Sequence, residues 1–394
     1  MTTIKMYPAK NGDAFLVKND SNSTAVLVDG GYTTTFDRFI LPDLQKLANR
    51  GKELQLVIAT HVDADHIGGL LRFFKANGHA SKPKIIPVRH VWHNSLRSIT
   101  TESQASPPLR DKESAVISEI RSIGFPNGSA STDTEEVSAQ QGSSLAALLL
   151  GGGYRWNGDN GKLSVCQNSV ERLGDSAEAI SIGPPAEILA RLTSWWASQL
   201  RQYGFFTENA NGQFLDDAFE FLCAHQSLRD DVQPEEISGS DNLADSYTPD
   251  SSLTNASSIS VVLTMGGKRL LFLGDSHPND AEYAIRNQFN GEPVQFDAIK
   301  ISHHGSLHNT SPSLLRLVDA PIYLISSNGE VHGHPDFAVL KEIADRPSTF
   351  RRELHFNYST SASKRLREYS EKAPNPFLMH ENSTDWISVE RISQ

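Results

Sequence analysis

The 394-residue sequence predicts a mixed α/β sandwich interrupted in its middle by an acidic, partly helical insertion. Three observations carry this. Short apolar runs of strand length crowd residues 1–97 and return after residue 178. In the first half, a buried strand leads through a polar loop into a helix, the order in which α/β folds place chemistry at strand C-termini. Between them, residues 98–178 are dominated by Ser, Gly, Thr and acids. The expected division is therefore 1–97 as the first half of the fold, 98–178 as the insertion, and 179–394 as the second half. A polar loop is expected near 230–258.

The elements follow in order. Ala14-Phe15-Leu16-Val17 and Ala25-Val26-Leu27-Val28 read as strands around a turn-like Asn19-Asp20-Ser21-Asn22-Ser23, and Asp29-Gly30-Gly31 ends the second. Residues 36–50 carry apolar side chains at helical spacing. Leu54 to Ala59 reads as a buried strand, Thr60 to Gly69 as a loop, and Leu70 to Lys75 as helix. Helical patches fall at 111–123 and 143–150, and a Trp-rich helix at 186–203. Strands are expected at Ala179–Ile182, Ser260–Thr264, Leu270–Leu273, near 297–302 and at Ile322–Ser326.

Composition narrows the classes of function. There is no run of about 18 uncharged apolar residues, so no membrane span is expected. The opening MTTIKMYPAK lacks an apolar signal-peptide core. Cys166 and Cys223 show neither disulfide nor metal spacing. The expectation is a soluble cytoplasmic protein. Net charge is −11, and residues 102–250 hold 23 Asp and Glu against 9 Lys and Arg. That asymmetry fits an acidic module on a nearly neutral scaffold, a candidate docking surface for a protein partner; a well-solvated face fits equally. The charge argues against nonspecific nucleic-acid binding.

Thr60-His61-Val62-Asp63-Ala64-Asp65-His66-Ile67-Gly68-Gly69 carries the strongest chemical signal. Four side chains able to hold a metal fall within six residues after a strand. Imidazoles suit Zn, Mn or Fe, and carboxylates add charge and hardness. A loop aims such ligands at two adjacent ions, whereas a helix spreads them around its circumference.

This segment resembles the metallo-β-lactamase superfamily, whose loop usually reads His-x-His-x-Asp-His. It looks most like the soluble hydrolase domain of ComEC-type competence proteins, where Asp replaces the second His, as Asp63 does here. Further resemblances follow in order: Asn11-Gly12-Asp13-Ala14, Leu27-Val28-Asp29-Gly30-Gly31, Asn255 to Ser258, Leu273-Gly274-Asp275, Ile301-Ser302-His303-His304-Gly305-Ser306 and Gly333-His334-Pro335. They cover about 1–95 and 179–340. The resemblance implies a four-layer αββα sandwich and two divalent ions, Zn or Mn, at one rim. It implies that His61 and Asp63 hold one ion, Asp65 and His66 the other, with Asp275 bridging. His304 would be the final ligand, with His303 as a supporting or alternative one. Asp29 would orient the His loop. The family's further Gly-His-Thr-like ligand has no counterpart, a gap that Asn255 or Ser258 would fill.

The implied activity is metal-dependent hydrolysis by an activated hydroxide. Asp65 or Asp275 would orient it, and His334 would act as general acid or phosphate contact. A phosphodiester is the favoured substrate, hence a nuclease or nucleotide phosphodiesterase. A small ester, lactone or other carbonyl compound is the enzymatic rival, and a partner-binding protein with a secondary metal site the non-enzymatic one. A nucleic acid is expected to approach over a basic C-terminal stretch of Arg346, Arg351, Arg352, Lys364, Arg365 and Arg367.

Overall fold

In a computed structural model, the described residues are 1–21, 24–100, 109, 111–125, 143–158, 160–204, 215–230 and 240–390. Much of the expected insertion, and residues 231–239 of the expected polar loop, lie outside them. The first sheet has the order β16-β1-β2-β3-β4-β5, where β1 is Thr2–Met6, β2 Phe15–Asn19, β3 Thr24–Val28, β4 Leu56–Ile58, β5 Val91–Trp92 and β16 Ile387–Ser388. The second has the order β15-β14-β13-β11-β9-β8-β7-β6. Its strands are β6 Val170–Arg172, β7 Ala177–Ser181, β8 Val261–Met265, β9 Lys268–Phe272, β11 Ala298–Lys300, β13 Ile322–Ile325, β14 Arg352–Phe356 and β15 Phe377–His380. Short β10 (Val294–Gln295) and β12 (Val318–Asp319) pair separately.

Strict alternation within the strands builds three apolar layers. Phe15, Val17, Val26, Val28, Leu56 and Ile58 of the first sheet meet Val261, Leu263, Leu270, Phe272 and Leu324 of the second. The intervening residues point outward. Leu16, Leu27 and Val57 pack under helices Leu41–Ala48, Ala64–Asn77 and Ala186–Gln202. Leu271, Ile299, Tyr323 and Leu354 pack under Pro278–Gln288, Phe337–Asp345 and Ser361–Tyr369. The result is the expected αββα sandwich, two face-to-face sheets with helices on both outer faces. Among the described residues, no helix is long and apolar enough to cross a membrane.

The acidic stretch contributes helices Asp111–Ile123, Leu145–Gly151 and Asp216–Asp230. Their Ile117, Ile120, Leu145, Leu149, Phe219 and Leu222 join the outer core of the first sheet. Glu220 is fully buried there. Its carboxylate accepts the amides of Leu145 and Ala146 at 2.7 and 3.1 Å and lies 2.9 Å from His93 Nε2. One acid thus caps a helix start and meets an imidazole of the sandwich.

One local expectation needs correction. The segment read as a loop from Thr60 to Gly69 turns helical at Ala64, so Asp65 and His66 sit in the first turn of helix Ala64–Asn77. Asp63 occupies the N-cap position in extended geometry. Gly68-Gly69 looked like a break but lies inside the helix, where a Cβ on Gly69 would meet the Gly30 carbonyl oxygen at 2.0 Å. The glycine serves close approach to the β3 turn, not chain reversal.

Candidate metal centre

The C-terminal ends of β3, β4, β9 and β11 converge on one rim. After β3, Asp29 takes a left-handed φ of 54°. Its carboxylate accepts the Thr60 amide and hydroxyl, both at 2.8 Å, and meets His66 Nδ1 at 2.9 Å. Nδ1–H thus donates to Asp29 and Nε2 turns toward Asp275, the arrangement of an orienting carboxylate behind a metal ligand. After β4, His61 Nε2 lies 3.1 Å from Asp63 Oδ2. Asp65 accepts a hydrogen bond of 2.9 Å from Asn11, which is itself held by the Tyr32 hydroxyl. Gly12 passes so close that a Cβ there would meet the Asp65 carbonyl at 2.0 Å.

The second sheet supplies the rest. Asp275, three residues beyond the end of β9 at Phe272, reaches four imidazoles with one oxygen. Its Oδ2 lies 3.8, 3.3, 3.9 and 3.7 Å from Nε2 of His61, His66, His303 and His304. After β11, His303 and His304 both adopt left-handed backbone, with φ of 42° and 57°. Two successive non-glycine residues in that region store strain, which the surrounding contacts must hold. His303 Nδ1 donates to Asn309 at 2.8 Å, turning Nε2 toward Asp275. His304 Nε2 also lies 3.9 Å from Asp65 Oδ2.

Three overlapping donor groups result: His61–His66–Asp275, Asp65–His66–His304 and Asp275–His303–His304, each with ligand atoms within 4.8 Å of one another. Asp275 and His66 are shared between groups, a geometry suited to adjacent cations. Buried His61 Nε2, His66 Nε2 and Asp275 Oδ1 have no hydrogen-bond partner. Leaving such atoms dry is costly, and divalent ions would satisfy them. The donor set fits a metal on these grounds. Both His303 and His304 face the cluster, so the structure does not separate the two.

The electrostatics follow from crowding. Burial works against a charged His66, yet Asp275, Asp65 and Asp29 raise its pKa well above the ordinary value. His61 is likewise raised, with burial opposed chiefly by Asp63. Burial opposes the Asp275 charge, but His66, His304, His303 and Lys300 hold its carboxyl well below the usual range. Burial raises the Asp65 carboxyl against the pull of His66 and His304. Protons therefore occupy the positions that cations would take, and metal binding must release them.

Two functional-looking residues were not singled out from sequence. Lys300, the last residue of β11, is buried and pairs with Asp13, while its Nζ lies 3.5 Å from Asp275 Oδ1. Asp13 Oδ1 lies 3.3 Å from His304 Nδ1. Burial opposes the Asp13 charge, but Lys300 and His304 lower its carboxyl to about 2. Asp13 stood in the Asn11-Gly12-Asp13-Ala14 motif without a role of its own, and Lys300 showed only as a lysine breaking an apolar run.

Asn255 and Ser258 act as supports in the geometry seen here. Asn255 donates to Asp250 at 2.9 Å, and Ser258 Oγ accepts the Asp275 amide at 3.2 Å. His334 is buried, contacts Asp336 through Nδ1 at 3.1 Å, and lies with its ring centroid 5.3 Å from that of His303. His332 completes a histidine rim, 6.4 Å from His303.

In the basic C-terminal stretch, Arg351, Lys364, Arg365 and Arg367 are exposed, while Arg346 and Arg352 turn inward. Arg352 is buried and grips Asp319 at 2.6 and 3.0 Å. Arg346 binds the same acid and the Val318 carbonyl, and Arg365 and Arg367 pair with Asp241 and Glu381. Two of these arginines, Arg346 and Arg352, are thus spent on Asp319, and the Arg365 and Arg367 pairs lie at the surface.

Residues 7–134 match the profile of the family described as Metallo-beta-lactamase superfamily. No curated protein matches. Among solved structures, a mutant of CmlA beta-hydroxylase is similar at 12% identity and TM-score 0.36, over 98% of this chain and 53% of that one. A protein of unknown function from Enterococcus faecalis is similar at 11% identity and TM-score 0.27, over 95% of this chain and 64% of that one. This chain thus spans about half the length of the first and under two thirds of the second. Likenesses this distant bear on no residue or activity.

Proposed function

We propose that this protein is a metal-dependent phosphodiesterase, acting on a nucleic acid or nucleotide through two divalent ions at the rim. The carrying observation is the convergence of His61, Asp65, His66, Asp275, His303 and His304 from both sheets, with Asp63 3.1 Å from His61 and with His61 Nε2, His66 Nε2 and Asp275 Oδ1 buried without a hydrogen bond. The ions would supply Lewis-acid activation of water and neutralise charge at the scissile group. The chain's own residues do the rest. Asp29 fixes the His66 tautomer. Asp13 and Lys300 brace His304 and Asp275. Asp65, its carboxyl raised by burial, orients the attacking water. His334, held by Asp336, donates a proton to the leaving oxygen.

Two features favour phosphoryl over carbonyl substrates. Three aspartates beside the four histidines make the donor set harder than an all-imidazole one, which suits Mn as well as Zn. His332 and His334 gather beside His303 at this rim, polar rings placed where phosphoryl oxygens would lie. The motif order shared with ComEC-type hydrolase domains points the same way.

Metal analysis combined with a substrate screen tests the reading. Protein loaded separately with Mn and Zn is offered single- and double-stranded DNA, RNA, cyclic dinucleotides, bis(p-nitrophenyl) phosphate and a lactone. Metal content near two per chain with phosphodiester cleavage is expected. Lactone cleavage without phosphodiester cleavage transfers the site to carbonyl chemistry. Full metal content with no turnover leaves a binding role.

A further inference from the structure

A second group of metal-competent side chains lies on the edge of the second sheet and shares no residue with the rim. Glu353 and His355 are two apart on β14, so both leave the same face of the strand. Leu354 and Phe356 between and beyond them point the other way, into the outer core. Strand β15 runs parallel beside β14, with His380 directly opposite His355. The two imidazoles stack with centroids 4.3 Å apart and planes at 15°.

Glu353 Oε2 lies 3.4 Å from His355 Nε2 and 3.3 Å from His380 Nε2. Those separations are long for charge-assisted hydrogen bonds, which run about 2.7–2.9 Å. They match the roughly 3.4 Å expected between two donors that each sit about 2.0–2.1 Å from one tetrahedral ion. All three ligand atoms lie within 4.8 Å of one another. His355 is buried, and the buried atoms His380 Nε2 and His355 Nδ1 have no hydrogen-bond partner.

The cluster opens on a cavity of about 800 Å³ between this edge and the residues around Trp386. Four carboxylates, Glu353, Glu381, Asp385 and Glu390, line it, and among the described residues no Lys or Arg does. An anionic wall with an unpaired imidazole nitrogen at its base is a place for a cation.

We propose that Glu353, His355 and His380 bind a single zinc-class ion, distinct from the rim centre, with its remaining coordination open to the cavity. Two imidazoles and one carboxylate form a borderline donor set that prefers Zn over Mg or Ca. Because the three donors lie on regular strands, they are fixed before the ion arrives.

The test uses the whole protein. Crystals soaked in Zn²⁺ are measured on both sides of the zinc absorption edge. An anomalous peak within bonding distance of Glu353, His355 and His380 is expected, whatever the rim contains. In parallel, zinc content after dialysis against a weak chelator is compared for wild type and His380→Ala. His380 is 42% exposed at its side chain, so this variant keeps its fold, which thermal unfolding checks. The variant should hold one zinc fewer per chain and keep hydrolysis and rim zinc unchanged. Absence of the edge peak at saturating zinc, or unchanged zinc content in a folded His380→Ala, overturns the proposal. A failed substrate screen would leave both readouts untouched, so the two readings fail separately.

Discussion

The two sheets deliver ligands to the same rim by different means. The first sends His61, Asp63, Asp65 and His66 as one contiguous segment, drawn tight by the start of a helix and by Asp29 behind it. The second sends Asp275 from one strand end and His303 and His304 from another, set by left-handed backbone and a buried lysine. The contiguous half is local chemistry that any fold with that loop would keep. The dispersed half exists only once β9 and β11 pair in parallel, Leu271 beside Ile299. Long-range pairing, more than residue type, makes the second half.

The largest expected break of this contrast is Lys300→Met. It strands the Asp13 carboxylate in a buried site, and losing one partner of such a pair costs about 3–5 kcal/mol. Chemical denaturation should show that loss, and Asp13→Asn in the same chain should recover much of it. Next comes Asp275→Asn, which keeps shape and removes the charge shared by four imidazoles. Turnover of a substrate cleaved by wild type should fall at least about 100-fold. Near wild-type turnover would remove Asp275 from the centre. Asp29→Ala acts on the contiguous half alone. Metal affinity by competition with a chelator should weaken about 10- to 100-fold, with the fold intact. The smallest effect separates electrostatics remote from the rim. Burial pushes the Asp43 carboxyl up, but Lys5 and Lys46 more than offset this and hold it below its ordinary 3.8. A lowered folded-state pKa means stability that is full above about pH 4 and lost as pH falls through the folded value. Asp43→Asn should therefore flatten the acid limb of the melting-temperature profile slightly, by no more than about 1 kcal/mol.

The same contrast explains what was legible in the sequence. Strands β3, β4, β8 and β13, and the apolar parts of β2 and β9, announce themselves because both faces are largely buried there and the runs are mostly apolar. Strands β14 and β15 did not, because Arg352-Glu353-Leu354-His355-Phe356 puts polar residues on the face turned toward the edge cavity. The contiguous ligands of the first sheet were readable from residue types alone. His303, His304 and Asp275 were singled out only through motif resemblance, and Lys300 and Asp13 were missed as a pair. Nothing local marks residues 287 positions apart as partners. Arg352 misled for the opposite reason, since an arginine reads as surface until Asp319 is seen beneath it. Arg352→Glu should accordingly destabilise the protein rather than report on nucleic-acid affinity.

Glu220 bears on how the molecule opens. Swinging helix Asp216–Asp230 alone away from the sandwich would pull this carboxylate from the two amides of helix Leu145–Gly151 and from His93. Stranding a charge in that apolar layer would cost several kcal/mol. These helices are therefore coupled to the first sheet as a cooperative folding unit. The described part of the acidic stretch cannot serve as a hinged cover that admits substrate and closes over it.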